Sequence, residues 1–419
     1  MTSPTGPSPL SVGSPAAVLA IVPHLLGFVP GKSLVIIGAG QPRGRIHVTF
    51  RFDLPDPPDP DATAAIAAHA VTLLNRQELT TAVVIGYGPG PLVTPLTDAI
   101  RQAVAGTDLQ LRDVLRVDEG RYWSYLCREP SCCPPEGVPF NTTAHPAAAT
   151  VAASGSAVLS DRDALAATIA PVTGSAAEAM TRETRRAERI AAKLMASTTG
   201  TESPARQRPV TDEGLTAMQA AISTYREGGS IEHYGQFAWL ALVLTSLRIR
   251  DDAWARMDPD HRDVHLRLWT DLTRHAQPGY IAAPASLLAF TAWQGGNGAL
   301  ANLALDRALA DNPSYSMARL LRDVIDAGTP PSMARLPMTP EEVAASYSDA
   351  AGALGAAARQ RNDQAAGGRQ ARGPGGGIGW AGGGSGGLWP GRVLGRREAG
   401  RGSQPYLGAR ARALRSPVT

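Results

Sequence analysis

The spacing of apolar residues changes once along this chain, near residue 146, and the change separates two kinds of architecture. Before that point apolar residues come in short runs bounded by turn chemistry. Leu34-Val35-Ile36-Ile37-Gly38 is a continuous apolar run of strand length, the pattern of a strand covered on both faces. Gln41-Pro42-Arg43-Gly44 supplies turn residues, and residues 46–52 alternate as a half-buried strand does, so the two strands read as a hairpin. An alanine-rich helix is expected over about 61–76, a third strand over 81–86 and a second helix over about 92–104. Two more strands follow over 109–117 and 121–127, joined at Asp118-Glu119-Gly120. Residues 1–145 therefore read as an α/β domain with a mixed, mostly parallel sheet. Strand–helix–strand crossovers would make strands two, three and four parallel.

From 146 to 350 the period becomes helical and an all-α domain is expected. Met180, Ala187, Ile190, Ala191 and Leu194 form one stripe, with Arg185, Glu188, Arg189 and Lys193 elsewhere on the helix. Residues 197–209 read as a polar linker. Helices are expected around 212–227, 231–249, 260–275, 284–294, 298–310 and 314–326. Residues 284–326 carry one partial tetratricopeptide-like hairpin. Ala301, Leu305 and Pro313 stand at that repeat's small, bulky and proline positions, and Gly295-Gly296-Asn297-Gly298 turns between the helices.

The charge is divided along the chain. Residues 360–419 hold ten arginines against Asp363 and Glu398, whereas the remainder carries 30 basic and 35 acidic residues. The body is thus slightly acidic and is not expected to bind nucleic acid; only the arginine-bearing tail offers that chemistry. The tail also holds 17 of the 44 glycines. Residues 351–419 therefore read as a disordered Gly/Arg-rich tail, unable to bury a core. The apolar stretches 16–28 and 237–247 are too short to span a membrane. Three cysteines do not make a disulfide framework, so a reduced, cytoplasmic setting is expected.

Two clusters carry candidate chemistry. Parallel strands two to four would bring Asp53, Gly86 and Asp118 to one sheet edge, where open α/β sheets bind ligands. Gly86-Tyr87-Gly88-Pro89-Gly90 lets backbone amides approach a polar ligand, with Arg121 beside it. It is not a dinucleotide or phosphate loop, because the glycine spacing fails and no lysine follows. Tight turning between strand and helix accounts for the same glycines. Cys127-x4-Cys132-Cys133, with His145 as a fourth group, could hold zinc, form a redox pair, or simply pack. Against zinc, adjacent cysteines rarely direct both side chains at one ion. His261 and His265 share a helical face, but Arg262 stands where a zinc protease needs Glu, so capping or solvent-facing roles are expected.

Three strings carry a resemblance: Pro23-His24-Leu25-Leu26-Gly27-Phe28 followed by Ser33-Leu34-Val35; Tyr122-Trp123-Ser124-Tyr125-Leu126-Cys127 with Cys132-Cys133-Pro134-Pro135-Glu136-Gly137; and Pro284-Ala285-Ser286-Leu287-Leu288-Ala289-Phe290 with Ala292-Trp293. Over roughly residues 10–350 the chain resembles an uncharacterised actinobacterial family classed as a domain of unknown function. That resemblance implies no activity, cofactor or catalytic residue. The residues themselves point first to a non-enzymatic protein, sensing a small polar ligand at the sheet edge and contacting a protein partner through the helical domain. The alternative is an enzyme using the cysteine site, and a third reading is nucleic-acid binding through the tail.

Overall fold

The computed structural model describes residues 14–40, 45–77, 79–142, 145–152, 158–196, 203–333 and 338–348. The hairpin turn read at 41–44 and the tail read at 351–419 lie outside the described residues. All the described residues fall within one unit, Met1–Ala357.

The chain opens with helix α1 (Pro15–Leu26). Its start is built by Ser14, whose hydroxyl accepts the Ala17 N–H at 3.2 Å, and by Pro15 at the first helical position. Its end is Gly27 at φ +80°, in the left-handed region that glycine enters without a side-chain clash. Strands β1 (Ser33–Gly40) and β2 (Arg45–Asp53), helix α2 (Pro60–Arg76), β3 (Thr81–Tyr87), α3 (Gly90–Val104), β4 (Gln110–Asp118), β5 (Arg121–Ser124) and the short β6 (Val138–Pro139) follow.

The strand order is β2-β1-β3-β4-β5-β6. The sheet is mixed, as expected, but it is not mostly parallel. Only β3 and β4 pair in parallel; β1 pairs antiparallel with both β2 and β3, and β4–β5 and β5–β6 are antiparallel. The reason lies in β1. It is the most apolar strand and takes the position covered on both faces, so the β2–α2–β3 crossover passes over it instead of joining neighbours. Leu34 and Ile36 face α2 and α3 together with Val84 and Val114. Val35 and Ile37 face the opposite way, into a cluster that includes α1 and most of the helical part.

The fifth strand ends at Ser124, three residues earlier than its pattern suggests. The Ser124 hydroxyl accepts the N–H groups of Leu126 (3.2 Å) and Cys127 (3.1 Å), and this side-chain turn draws the backbone off the sheet.

Helices α4 (Pro146–Ala152), α5 (Arg162–Thr168), α6 (Gly174–Ala196), α7 (Ser203–Arg226), α8 (Tyr234–Val243), α9 (Leu247–Ala255), α10 (Arg262–His275), α11 (Ala282–Gln294), α12 (Gly298–Asp311) and α13 (Ser316–Asp326) follow, and residues 340–348 are helical as well. The linker reading of 197–209 is corrected from Ser203 onward, which is helical. Pro204 sits in the first turn, where no backbone donor is needed. The single helix read at 231–249 is two, broken at Leu244–Ser246, where the Thr245 hydroxyl bonds the Leu242 carbonyl at 2.7 Å in competition with the helix ladder. On α6 the buried stripe is Met180, Thr184, Ala187 and Ala191, while Ile190 is 40% exposed.

Helix α11 lies in the middle, with every residue from Ala282 to Trp293 buried. Asp311 fixes its start by accepting the N–H groups of Gly279, Ile281 and Ala282 at 2.6, 2.9 and 3.0 Å. The turn into α12 uses Gly296 at φ +79°, and Asn297 caps the new helix by accepting the Leu300 N–H at 3.0 Å. None of the helices among the described residues is long and apolar enough to cross a membrane.

Candidate functional site

Strands β2, β3 and β4 run in the same direction, and the register pairs Ser33 with both Asp53 and Tyr87, and Tyr87 with Val117. Asp53, the Gly86–Gly90 loop and Asp118 therefore stand at one sheet edge. They do not converge there. Asp53 and Asp118 are three strand spacings apart, about 14 Å. Asp53 pairs with Arg51 at 2.6 Å and Asp118 with Arg116 at 3.8 Å, while Arg121 donates to the Gly137 carbonyl at 2.9 Å.

The loop glycines have local reasons. A Cβ on Gly86 would lie 2.2 Å from Val93 Cγ1, so glycine lets α3 pack directly on β3. Gly88 has φ +137°, and its N–H donates to the Val117 carbonyl at 2.8 Å. A Cβ on Gly90 would lie 3.1 Å from the Arg116 guanidinium. Gly86→Ala is expected to cost about 1–3 kcal/mol by overpacking, read as a lower urea midpoint. A midpoint equal to the parent's would mean that α3 can retreat without loss.

A concave surface lies along β2, the outer strand of the order given above. It is a cleft of about 650 Å³ between β2 and α2 on one side and α12 and α13 on the other. Its apolar walls include Leu26, Phe50, Phe52 and Trp293. Arg162 and Arg322 share one carboxylate, Asp306, at 3.9 and 2.6 Å, and Asp326 lines the same wall. Asn302 also accepts from Arg322 at 2.7 Å and holds its guanidinium plane. Arg51 reaches the cleft from β2, its guanidinium 5.8 Å from the centre of the Phe28 ring. Its Nε is buried with no hydrogen-bond partner. Burial raises the Asp326 carboxyl above its usual range, with Arg322 and His69 pulling the other way. Of the candidate ligand and metal residues read from the sequence, only Asp53 lines this cleft. Arg51, Arg322 and Asp306 carry no local motif, because the walls come from segments some 270 residues apart.

The three cysteines do come together. All three sulfurs lie within 4.8 Å of one another, and Cys132 Sγ and Cys133 Sγ are 3.9 Å apart. One acceptor makes this possible: the Glu129 carbonyl takes the N–H groups of both Cys132 (3.1 Å) and Cys133 (2.8 Å). Cys127 is held from the other side by Ser124, which itself donates to Asp113 at 2.7 Å. The returning chain is pinned by Trp123, whose indole N–H donates to the Pro135 carbonyl at 2.9 Å and whose ring fills the space a Gly137 Cβ would need. Hydrogen bonds from the Glu129 amide and from the neighbouring thiols lower the Cys127 thiol from its ordinary value. Burial, then the neighbouring thiols, push Cys133 up to about 12. His145 stands outside this cluster. Its Nδ1 accepts the Ala147 N–H at 3.2 Å at the start of α4.

His265 is not solvent-facing: it is 1% exposed, and its Nε2 accepts the Asp258 N–H at 3.2 Å, a backbone-capping role. His261 is half-exposed and pairs with the Asp258 carboxylate at 2.7 Å.

A family described as a domain of unknown function (DUF4192) matches residues 15–332. No curated protein and no solved structure matches the chain.

Proposed function

The chain belongs to this domain-of-unknown-function family, and from that premise we propose that it is a non-enzymatic binding protein whose ligand occupies the cleft between β2 and α12–α13. The ligand class is a small molecule with an anionic group and an apolar body. The observation that carries this reading is the buried, unpartnered Arg51 Nε in a cleft whose opposite wall presents the guanidinium groups of Arg162 and Arg322. A buried donor without an acceptor is costly, by about 1–3 kcal/mol, and a ligand carboxylate or phosphate would supply the acceptor. Guanidinium groups favour such anions because their planar donors bond two oxygens at once. The volume suits a drug-sized ligand, and the aromatic faces suit its apolar portion. The groups lining the cleft are those of recognition, with the arginines already oriented by Asp53, Asn302 and Asp306.

The test compares native and denatured masses of the full chain, then follows thermal unfolding across a panel of small carboxylates and phosphates. A true ligand should stabilise the protein by about 2.7 kcal/mol at a concentration one hundred times its Kd. Arg322→Met should weaken that ligand about 10- to 100-fold, the worth of one charge-assisted hydrogen bond set. A ligand that binds the Arg322→Met chain as tightly as the parent would place its site elsewhere.

A further inference from the structure

The chemistry around Cys127 lies far from the cleft residues in the fold, at the other margin of the sheet, beyond β5. We propose that Cys127, Cys132 and Cys133 form a zinc(II) site of three thiolates with its fourth position open to solvent. A tetrahedral zinc with Zn–S bonds of about 2.3 Å places its sulfurs about 3.8 Å from one another. The Cys132 and Cys133 sulfurs already stand 3.9 Å apart, and the third lies within 4.8 Å of both. An ion can therefore enter with sulfur displacements of roughly 1 Å or less on this geometry. The objection that adjacent cysteines point apart does not hold for this turn, since both of their amides close on the Glu129 carbonyl.

The frame around the sulfurs is fixed independently of any ion. The Ser124 hydroxyl, bonded to Asp113, holds the Cys127 amide, and Trp123 with Gly137 anchors the far end of the loop. Such outer bonds orient ligands and limit the ordering cost of binding. Cys132 is exposed and Cys127 and Cys133 are half-buried, which gives an ion a path in. It also leaves the fourth coordination position facing water. His145 is engaged at the start of α4 and is not a ligand. The chemical class bound is a thiophilic d10 cation, because three sulfur donors disfavour magnesium and calcium. The open position makes this a site able to take a further ligand, unlike a closed structural site.

The experiment uses the full chain, reduced and stripped of metal, titrated with cobalt(II) as a spectroscopic substitute for zinc. The expected result is one cobalt per chain, with a thiolate-to-cobalt charge-transfer band of three-sulfur intensity that one equivalent of zinc abolishes. Removing an outer-shell partner of a metal site costs about 10- to 100-fold in affinity, so Cys127→Ser, Cys132→Ser and Cys133→Ser should each cost at least that much. His145→Ala should bind as the parent does. Circular dichroism of each variant separates lost ligation from lost fold, and Cys132→Ser changes an exposed side chain, so it keeps the test decisive. The proposal is overturned if no charge-transfer band develops, or if the Cys132→Ser and Cys133→Ser chains bind cobalt with parental affinity. Thiols that react equally fast with a disulfide reagent in the presence and absence of zinc would overturn it as well.

Discussion

Trp269→Ala should destabilise the protein by about 3–5 kcal/mol, and Trp269→Phe by much less, about 1–2 kcal/mol. Trp269, on α10, is fully buried, in the cluster that joins Val35, Ile37 and Ile85 of the sheet to Leu287 and Leu305 of the helical part. Alanine would leave a cavity where elements from both halves meet, and surroundings fixed by several helices collapse only partly. The phenylalanine variant loses less because its ring keeps most of the packed volume, and the Trp269 indole N–H that it gives up is buried without a hydrogen-bond partner. Deleting that donor removes a desolvation penalty and offsets part of the lost packing. Urea denaturation of the three proteins at neutral pH measures both differences. Equal losses for the two variants would show that a six-membered ring at this position recovers none of the packing. An alanine variant with the parental midpoint would show that the core does not close around this ring.

The kinds of element were legible in the sequence wherever periodicity is local. Residues 34–38 announce a strand buried on both faces, and the helical period beyond 146 yields α10 to α13 close to their observed bounds. Strand order was not legible, because it depends on which neighbour β1 finds in three dimensions. An antiparallel partner on each side of β1 leaves β2, β3 and β4 pointing the same way while only β3 and β4 touch in parallel. Helix α1 passed unread, although Ser14-Pro15 at its start and Gly27 at its end are the residue types that begin and end helices. Ser203-Pro204 at the start of α7 carried a similar signal inside what reads as a linker.

The two sites differ in the same respect. Cys127, Cys132 and Cys133 lie within seven residues, so the sequence alone groups them. The Glu129 carbonyl that turns the adjacent thiols together is a backbone atom and leaves no trace in residue types. The cleft is the opposite case. Its arginines and aspartates are ordinary surface residues until α12 and α13 pack beside β2. What a sequence does carry at such a place is a mismatch: Arg51 alternates with Phe50 and Phe52 on an outer strand, and its side chain is only 15% exposed.

Acidification from pH 7 to pH 5 should cost about 2 kcal/mol of stability through His265 alone. Burial first, and then the Arg226 charge, lower this imidazole from 6.5 to about 4; Asp258 and Asp263 oppose the shift and His261 adds to it. Its Nε2 is occupied as the acceptor of the Asp258 N–H, which only the neutral ring can provide. The unfolded chain therefore binds a proton near pH 6.5 that the folded chain refuses until about pH 4. The His265 contribution is complete above pH 6.5 and is lost as the pH falls through that window. His265→Gln keeps an acceptor for the Asp258 amide but does not titrate, so it should flatten the pH dependence while lowering stability at pH 7 only modestly. Denaturation midpoints of both proteins at pH 7 and pH 5 decide the matter. If the glutamine chain loses as much stability on acidification as the parent, the titrating group is not His265. The backbone turn at Asp258 would then be held by something other than a neutral imidazole.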